Sequence, residues 1–187
     1  MNDPEPSGAR RVVPWELLGQ RRRTDGWLPV TTRTYRMPDG SVSDWDIHTM
    51  AFTTVGVLAL TDDGQIVLTR QFRPGPAAIV LDLPGGIVDP GEELLDAAAR
   101  ELREETGYSC ESVEPAGASW AFGASTWRRH VAIARGCRAQ GEVTSWGGDE
   151  YCEPVLLSAD ELRRVAREGG TTDSDLIYVA LDVAGLL

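Results

Sequence analysis

Three closely spaced glutamates give the first indication of chemistry. Glu101, Glu104 and Glu105 stand at i, i+3 and i+4, which places them on one face of a helix about one turn apart. Hard divalent cations such as Mg²⁺ and Mn²⁺ prefer carboxylate oxygens and can bridge them to phosphates. The alternative is a solvated acidic face that pairs with Arg100 and Arg103, and the three glutamates alone favour this alternative.

The residues around the glutamates change that balance. Gly86 closes a glycine-rich segment, Glu92 follows after five residues, and the run RELREETGY occupies residues 100–108 after seven more. This pattern resembles the Nudix box at each of its defining positions, including a loop before the helix and a glycine after it. The wider pattern therefore favours a metal site.

Resemblance to the Nudix family implies the catalytic roles within this motif. Glu101, Glu104 and Glu105 would be metal-binding and catalytic carboxylates for Mg²⁺ or Mn²⁺. The backbone carbonyl of Gly85 would add a further metal ligand. Arg100 would orient a glutamate through a charge-assisted hydrogen bond.

Three further motif positions are expected to be structural. Gly86 would allow a bend of the backbone. Glu92 would tie the loop to the helix, and Gly107 would end the helix. These assignments follow from the family pattern, position by position.

The family resemblance also implies a base on a late, mobile loop, and the polar segment 141–150 fits this role. Its acids are Glu142, Asp149 and Glu150. Glu150 best matches a family position that contacts metal, and Asp149 is the nearest alternative base. An ordinary solvated loop carboxylate is the other interpretation of each residue.

Similarity to the ADP-ribose pyrophosphatase branch extends from about Trp15 to the C-terminus. Arg73 ends the strand before the motif, where it would contact a diphosphate. Trp27 lies where this branch often places an aromatic that reaches across a dimer to stack on a base, with core packing as the alternative. The branch's proline, about fifteen residues after the box, is missing from the segment WAFGASTW at 120–127, where Phe122 would line the substrate pocket. This departure leaves the exact substrate undetermined but not the cleavage of a pyrophosphate.

Composition narrows the partners and the location. A net charge of −11 argues against nucleic acid as the main partner. No stretch approaches the roughly 20 consecutive apolar residues of a membrane helix, and the N-terminus lacks the apolar region of a secretory signal. The three widely spaced cysteines are typical of free thiols in a reducing cytosol. We therefore expect a cytoplasmic protein that acts on a small molecule.

The predicted elements that must position the motif alternate between strands and helices. The motif helix, 92–106, is rich in Ala, Leu, Glu and Arg. A polar loop is expected over 136–149, and Ser158 with Glu161 forms a capping-box pattern before a second helix. A last helix is expected over 173–187. Strands are predicted at 27–35, 44–49, 54–60, 66–72, 79–83, 113–120, 129–134 and 151–157.

These elements predict an α/β (α+β) fold, a Nudix-type α/β/α sandwich with a mixed sheet and an N-terminal antiparallel β-hairpin region. We expect a disordered tail at 1–14, an N-terminal strand region at 15–50 that serves as a dimerisation element, and a Nudix hydrolase domain at 51–187. Homodimerisation is an expectation from the family.

The predicted function is metal-dependent hydrolysis of the pyrophosphate linkage in a nucleoside diphosphate derivative. ADP-ribose or another nucleoside diphosphate sugar would yield a nucleoside monophosphate and a sugar phosphate. The alternative is a nucleoside triphosphate or dinucleotide pyrophosphohydrolase. A non-catalytic nucleotide-sugar sensor is disfavoured because such sensors tend to lose the motif glutamates, which this chain keeps.

Overall fold

A mixed β-sheet forms the centre of the computed structural model, which describes residues 29–36, 41–147 and 150–187. The helices are α1 (Leu94–Thr106), α2 (Ala159–Glu168) and α3 (Ser174–Ala184). The strands are β1 (Val30–Arg36), β2 (Val42–His48), β3 (Thr54–Thr61), β4 (Ile66–Arg73), β5 (Ala78–Asp82), β6 (Gly85–Ile87), β7 (Tyr108–Ser109), β8 (Ser112–Trp120), β9 (Arg128–Ala139), β10 (Trp146–Gly147), β11 (Glu150–Tyr151) and β12 (Glu153–Leu157).

Strand β3 organises the central sheet. It pairs in parallel with β9 and antiparallel with β4 and β6. Strand β4 also pairs with β5 and β12, while β9 pairs with β7 and β8, all antiparallel. The predicted mixed sheet is therefore confirmed.

Side chains that alternate along β3 divide the core between the two faces of the sheet. Val57 points into a cluster that includes Ala98 and Leu102 of α1. Leu58, the next residue, belongs to a second cluster that contains residues of α2 and α3, such as Leu162 and Ile177. Since successive strand residues face opposite sides, α1 covers one face and the other two helices cover the second. This is the predicted α/β/α sandwich.

The helix ends largely follow their capping residues. Helix α1 begins at Leu94, two residues later than predicted, because Glu93 is still extended. The capping box of Ser158 and Glu161 before α2 is confirmed by both of its hydrogen bonds. Helix α3 ends at Ala184, before the predicted Leu187, because Gly185 adopts a left-handed φ of 70°.

The predicted loop over 136–149 begins later in the structure. Strand β9 continues to Ala139 because Gly136, with a φ of 65°, forms an irregularity at which Thr61 shifts its pairing to Cys137. Strand β12 correspondingly begins at Glu153 rather than at Tyr151, which pairs instead with Trp146 in the β10–β11 hairpin. The ends of these strands depend on pairing partners that are distant in sequence.

The N-terminal hairpin is formed by β1 and β2, which pair from Val30 with His48 to Arg36 with Val42. These strands form a sheet of their own, and every residue of β1 is exposed. The predicted tail, the segment around Trp15 and the central part of the predicted turn lie outside the described residues. The division of the chain into domains stays a prediction.

Two further observations bear on location. Within the described ranges no helix is long and apolar enough to cross a lipid bilayer. Cys110, Cys137 and Cys152 carry free thiols. The cytoplasmic location stays a prediction.

The packing of α1 on the sheet gives a first testable prediction. We expect Leu102→Ala to lower the free energy of unfolding by about 2–5 kcal/mol, because Leu102 is fully buried and its truncation leaves a cavity. Urea denaturation followed by circular dichroism measures this change. Leu156→Ala, at an exposed position of β12, is the matched control. An equal loss in both variants would show that α1 is not anchored in this way.

Candidate active site

Helix α1 packs beside β6, and this brings two of the motif glutamates to two successive glycines. The backbone N–H of Gly85 donates a hydrogen bond to Glu105 Oε2 at 2.9 Å. The Glu101 carboxylate lies so close to Gly86 that a Cβ added there would be 2.4 Å from Glu101 Oε1. Since Gly85 and Gly86 are adjacent, the two carboxylates reach the same short strand.

Burial distinguishes the three glutamates. Glu101 is 9% exposed and Glu105 is 4% exposed, whereas the side chain of Glu104 is 38% exposed. A uniformly solvated acidic face, the alternative from sequence, is therefore wrong for Glu101 and Glu105. Burying a charged carboxylate is costly unless it is paired and hydrogen-bonded.

Arg100 forms hydrogen bonds to two of the three motif glutamates. Its Nη1 donates to Glu101 Oε1 at 2.9 Å and to Glu104 Oε2 at 3.2 Å. Its Nη2 also donates to the carbonyl oxygen of Ile87, the residue after Gly86, at 3.0 Å. One guanidinium thus fixes two motif carboxylates relative to β6.

Glu92 completes this arrangement from the loop before α1. It accepts hydrogen bonds from Arg100 Nε at 2.9 Å and Nη2 at 3.0 Å, and from the backbone N–H of Asp89 at 3.0 Å. The hydrogen bonds from Arg100 and the Asp89 backbone hold the pKa of Glu92 below its usual value. The Glu92 hydrogen bonds raise the pKa of Arg100 further, so both groups stay charged. Glu92 therefore joins the loop to the helix.

Four carboxylates are grouped around α1 and β6. Arg100 brings one positive charge to Glu92, Glu101 and Glu104, and Glu105 adds a fourth carboxylate beside Gly85. Two of these carboxylates are in a buried setting, where repulsion between like charges is screened least. Such a site favours the binding of further cations.

The donors present are of the type that Mg²⁺ and Mn²⁺ prefer. Across the described part of the chain, no three His, Cys, Asp or Glu side chains form a ready-made metal cage. Mg²⁺ rarely uses such a cage, because it usually keeps several waters and binds through one or two carboxylates together with substrate phosphates. Glu101 and Glu105 at β6, with Glu104 nearby, fit that mode of binding.

Gly86 and Gly107 of the motif are glycines for different structural reasons. Gly107 has a φ of 74°, and its N–H bonds to the carbonyl of Arg103, so it ends α1 as a left-handed cap. Gly86 has no left-handed φ. The structure gives a steric reason for glycine at this position, because a side chain there would collide with Glu101, and the backbone bend stays a prediction.

Arg73 lies near the glutamates but is held by another carboxylate. Its Nε donates to Asp82 Oδ2 at 2.8 Å, and its side chain is 39% exposed. Burial lowers the pKa of Arg73, but the charges of Asp82, Asp173 and Glu105 outweigh burial and raise it. The ion pair leaves the two terminal nitrogens of the guanidinium outside the Asp82 contact.

Phe122 belongs to a loop that contacts the N-terminal hairpin. Its exposed ring stacks on His48 with the centroids 5.7 Å apart. The same loop is joined to β2 by a hydrogen bond between Ser125 Oγ and His48 Nδ1 at 3.2 Å. Trp127 instead points inward, where its Nε1 donates to Thr54 Oγ1 at 3.1 Å. The contacts of Phe122 are therefore with the N-terminal hairpin, whereas the motif glutamates contact β6 and Arg100.

The late loop is attached to the motif helix. The backbone N–H groups of Thr144 and Ser145 both donate to the carbonyl of Glu104, at 2.9 and 3.0 Å. Of the predicted loop acids, Glu150 is a residue of β11, where it pairs with Gly147. Asp149 and Trp27 lie outside the described residues.

A polar cluster behind β6 was not predicted from the sequence. Buried Asp82 and Asp173 contact residues of β4, β9 and the segment before α3. A weak signal was present, because the run TTDSD at 171–175 is unusually polar for the start of a buried helix. The pairing of Asp82 with residues about 90 positions later has no local sequence signal.

Comparison with known proteins agrees with this geometry. The NUDIX domain model matches residues 50–178, more than half of the chain. This chain belongs to the Nudix family. The family resemblance of the motif from Gly86 to Tyr108 is therefore confirmed, as is the prediction of a Nudix hydrolase.

Two relatives each match about three quarters of the chain. The methanol dehydrogenase activator of Bacillus methanolicus is 29% identical over 149 residues, which are 75% of this chain and 76% of that protein. The ADP-ribose pyrophosphatase of Bacillus subtilis is 29% identical over 145 residues, with 76% and 77% covered. A crystal structure of an ADP compounds hydrolase matches with a TM-score of 0.70 at 17% identity, over 96% of this chain and 100% of that one. The last match shows the shared fold.

The contact between Gly86 and Glu101 gives a testable prediction. We expect Gly86→Ala to weaken Mn²⁺ binding by about 10- to 100-fold, because the new methyl group must displace the Glu101 carboxylate. Electron paramagnetic resonance titration of free Mn²⁺ measures the affinity. Gly75→Ala is the control, since a Cβ there meets no atom within 4 Å. Unchanged Mn²⁺ affinity in Gly86→Ala would contradict the steric role of this glycine.

Proposed function

We propose that this chain hydrolyses the pyrophosphate linkage of a nucleoside diphosphate derivative in a reaction that depends on Mg²⁺ or Mn²⁺. The observation that carries this proposal is the pair of buried carboxylates, Glu101 and Glu105, which α1 brings to the two successive glycines of β6. The substrate class is ADP-ribose or another nucleoside diphosphate sugar, as in the Bacillus subtilis relative. The products are a nucleoside monophosphate and a sugar phosphate.

The metal would be held by Glu101, Glu104 and Glu105, with the carbonyl of Gly85 as a further ligand. When bound, Mg²⁺ or Mn²⁺ would neutralise phosphate charge and lower the pKa of a coordinated water. Arg100 would orient Glu101 and Glu104 through its hydrogen bonds to both.

Arg73 would bind the diphosphate. Its guanidinium is partly exposed and interacts electrostatically with Glu105. Asp82 holds Nε, which fixes the plane of the group and presents the terminal nitrogens to a ligand. Planar guanidinium groups match phosphate oxygens well, because they can donate two parallel hydrogen bonds.

The base that takes a proton from the attacking water would come from the late loop, at Glu150 or alternatively Asp149. This loop is attached to α1 at the carbonyl of Glu104. The attachment supports the assignment because it keeps the loop beside the motif glutamates. Glu150 would also contact the metal.

Recognition of the nucleoside would use exposed aromatic side chains. Phe122 presents an exposed ring beside the hairpin, and Trp27 precedes that hairpin in sequence. Flat aromatic faces stack well on nucleobases. Phe122 and Trp27 are therefore proposed as substrate-binding residues.

We further propose that the protein is a homodimer assembled through the N-terminal hairpin. One face of the hairpin carries two exposed aromatic side chains, Tyr35 on β1 and Trp45 on β2. An isolated two-stranded hairpin is at best marginally stable in water. A second copy of the chain would cover these side chains and supply the missing packing.

Isosteric substitution of the glutamates tests the enzymatic proposal. We expect Glu101→Gln and Glu105→Gln each to lower kcat for ADP-ribose by at least about 100-fold, since loss of even an outer partner of a metal ligand costs about 10- to 100-fold. Anion-exchange chromatography, which separates the nucleoside monophosphate product from the substrate, measures the rate with Mg²⁺ and with Mn²⁺. Asp96→Asn, exposed on the same helix, should keep wild-type activity.

The same assays should cover other diphosphate sugars, dinucleotides and nucleoside triphosphates, which separates the alternative substrates. Wild-type protein that cleaves none of these compounds with either metal would falsify the proposed function. Cleavage of triphosphates alone would replace the proposed substrate class.

The dimer is tested by charge placed on the hairpin. We expect Trp45→Lys to shift the protein from dimer to monomer in sedimentation velocity, because it would bury an unpaired lysine in the proposed interface. Val183→Lys, at a similarly exposed apolar position on α3, is the control and should remain dimeric. A wild-type protein that sediments as a monomer at micromolar concentration contradicts the proposal.

A further inference from the structure

We propose that Asp173 is a positioning residue for the active site: it fixes the β5–β6 connection (residues 82–85), which carries the backbone group that Glu105 binds. This inference rests on the proposed function. It concerns a residue on the opposite face of the sheet from α1, outside the Nudix motif.

The β5–β6 connection is held by bonds at each of its last three residues. The backbone N–H of Leu83 donates to Asp173 Oδ2 at 3.2 Å. The carbonyl of Pro84 accepts from the N–H of Val57 at 2.9 Å. The N–H of Gly85 then donates to Glu105 at 2.9 Å. Asp173 and Glu105 are therefore bound to residues only two apart in one short segment.

The preceding residue, Asp82, is also hydrogen-bonded by the segment before α3. Its Oδ1 accepts from Thr171 Oγ1 at 2.9 Å and from the Thr172 N–H at 2.7 Å. Its Oδ2 accepts from Thr172 Oγ1 at 2.9 Å and from Arg73 Nε at 2.8 Å. Residues 171–173 thus fix the connection at two successive positions, by side chain at Asp82 and by backbone at Leu83.

The side chain of Asp173 is not used to cap its own helix. It occupies the N-cap position of α3, where an aspartate commonly bonds to the first N–H groups of the helix, but it makes no such bond. Its Oδ2 is directed instead to Leu83, and its Oδ1 accepts from Arg129 Nη2. Stabilisation of α3 therefore does not explain the orientation of this carboxylate.

The placement of Asp173 is also energetically unfavourable. Burial, together with the neighbouring Asp82 carboxylate, raises the pKa of Asp173 to about 6, although Arg129 and Arg73 oppose this shift. The groups that offset this cost are Arg129 and the N–H of Leu83. The geometry connects it to Gly85, and through Gly85 to Glu105.

The test compares Asp173→Asn with Asp175→Asn. Both aspartates pair with Arg129, but only Asp173 reaches the β5–β6 connection. We expect Asp173→Asn to weaken Mn²⁺ binding in the absence of substrate by about 10-fold, within the range for outer partners of metal ligands. It should also lower kcat with little change in KM for ADP-ribose. Asp175→Asn should match wild type in both respects.

Electron paramagnetic resonance titration gives the Mn²⁺ affinity, and circular dichroism shows whether each variant is folded. If Asp173→Asn does not fold, Thr172→Val serves instead, since it removes one hydrogen bond to Asp82 and keeps both carboxylates. It should give a smaller loss of Mn²⁺ affinity in the same direction.

Two results would overturn this inference and leave the proposed function intact. In the first, the wild type and the folded test variant bind Mn²⁺ equally well. In the second, Asp175→Asn loses as much Mn²⁺ affinity as Asp173→Asn. A wild type that neither binds Mn²⁺ nor cleaves any substrate overturns the proposed function first, and the inference with it.

Discussion

Mutual repulsion between carboxylates is the constraint on which this structure depends. Glu101 and Glu105 are one turn apart and largely removed from water, so their separation and direction must be imposed by neighbours. Arg100 fixes the position of Glu101 through hydrogen bonds to Glu101 and Glu104. The N–H of Gly85 fixes the position of Glu105. The buried apolar flank of α1 prevents the helix from moving away in response. Charge that would loosen an isolated helix is thereby held on a rigid element.

The two faces of the sheet contribute differently to this arrangement. On one face, α1 supplies the carboxylates and packs directly on β3 and β6. On the other, the segment before α3 supplies no group to the site but binds the β5–β6 connection at Asp82 and Leu83. A backbone segment held from both faces has little freedom to shift when a ligand binds. Preorganisation of this kind reduces the cost of arranging ligands around a metal.

The sequence predicted best those features that depend on local periodicity. The motif helix, the Ser158 capping box and the two-face packing follow from helical and strand repeats within single segments. The extension of β9 past Gly136 could not be predicted, because it depends on pairing with Tyr108 and Ser109 across the sheet. The steric role of Gly86 needed the position of Glu101, fifteen residues later. The Asp82 cluster joins residues about 90 apart, which no pattern within a segment encodes.

The charge of the site also constrains how ligands bind. Glu92, Glu101 and Glu104 share the guanidinium of Arg100, Glu105 interacts with Gly85 and Arg73, and a diphosphate would add further negative charge. These carboxylates therefore repel a diphosphate and attract cations. Under the proposed function, bound metal lowers the electrostatic cost of the diphosphate, and the diphosphate in turn adds oxygen ligands for the metal. Thermodynamic linkage requires metal to raise the affinity for the diphosphate by the same factor by which the diphosphate raises the affinity for metal. Because the carboxylates repel one another in the free protein, the binding of metal and the binding of substrate are coupled.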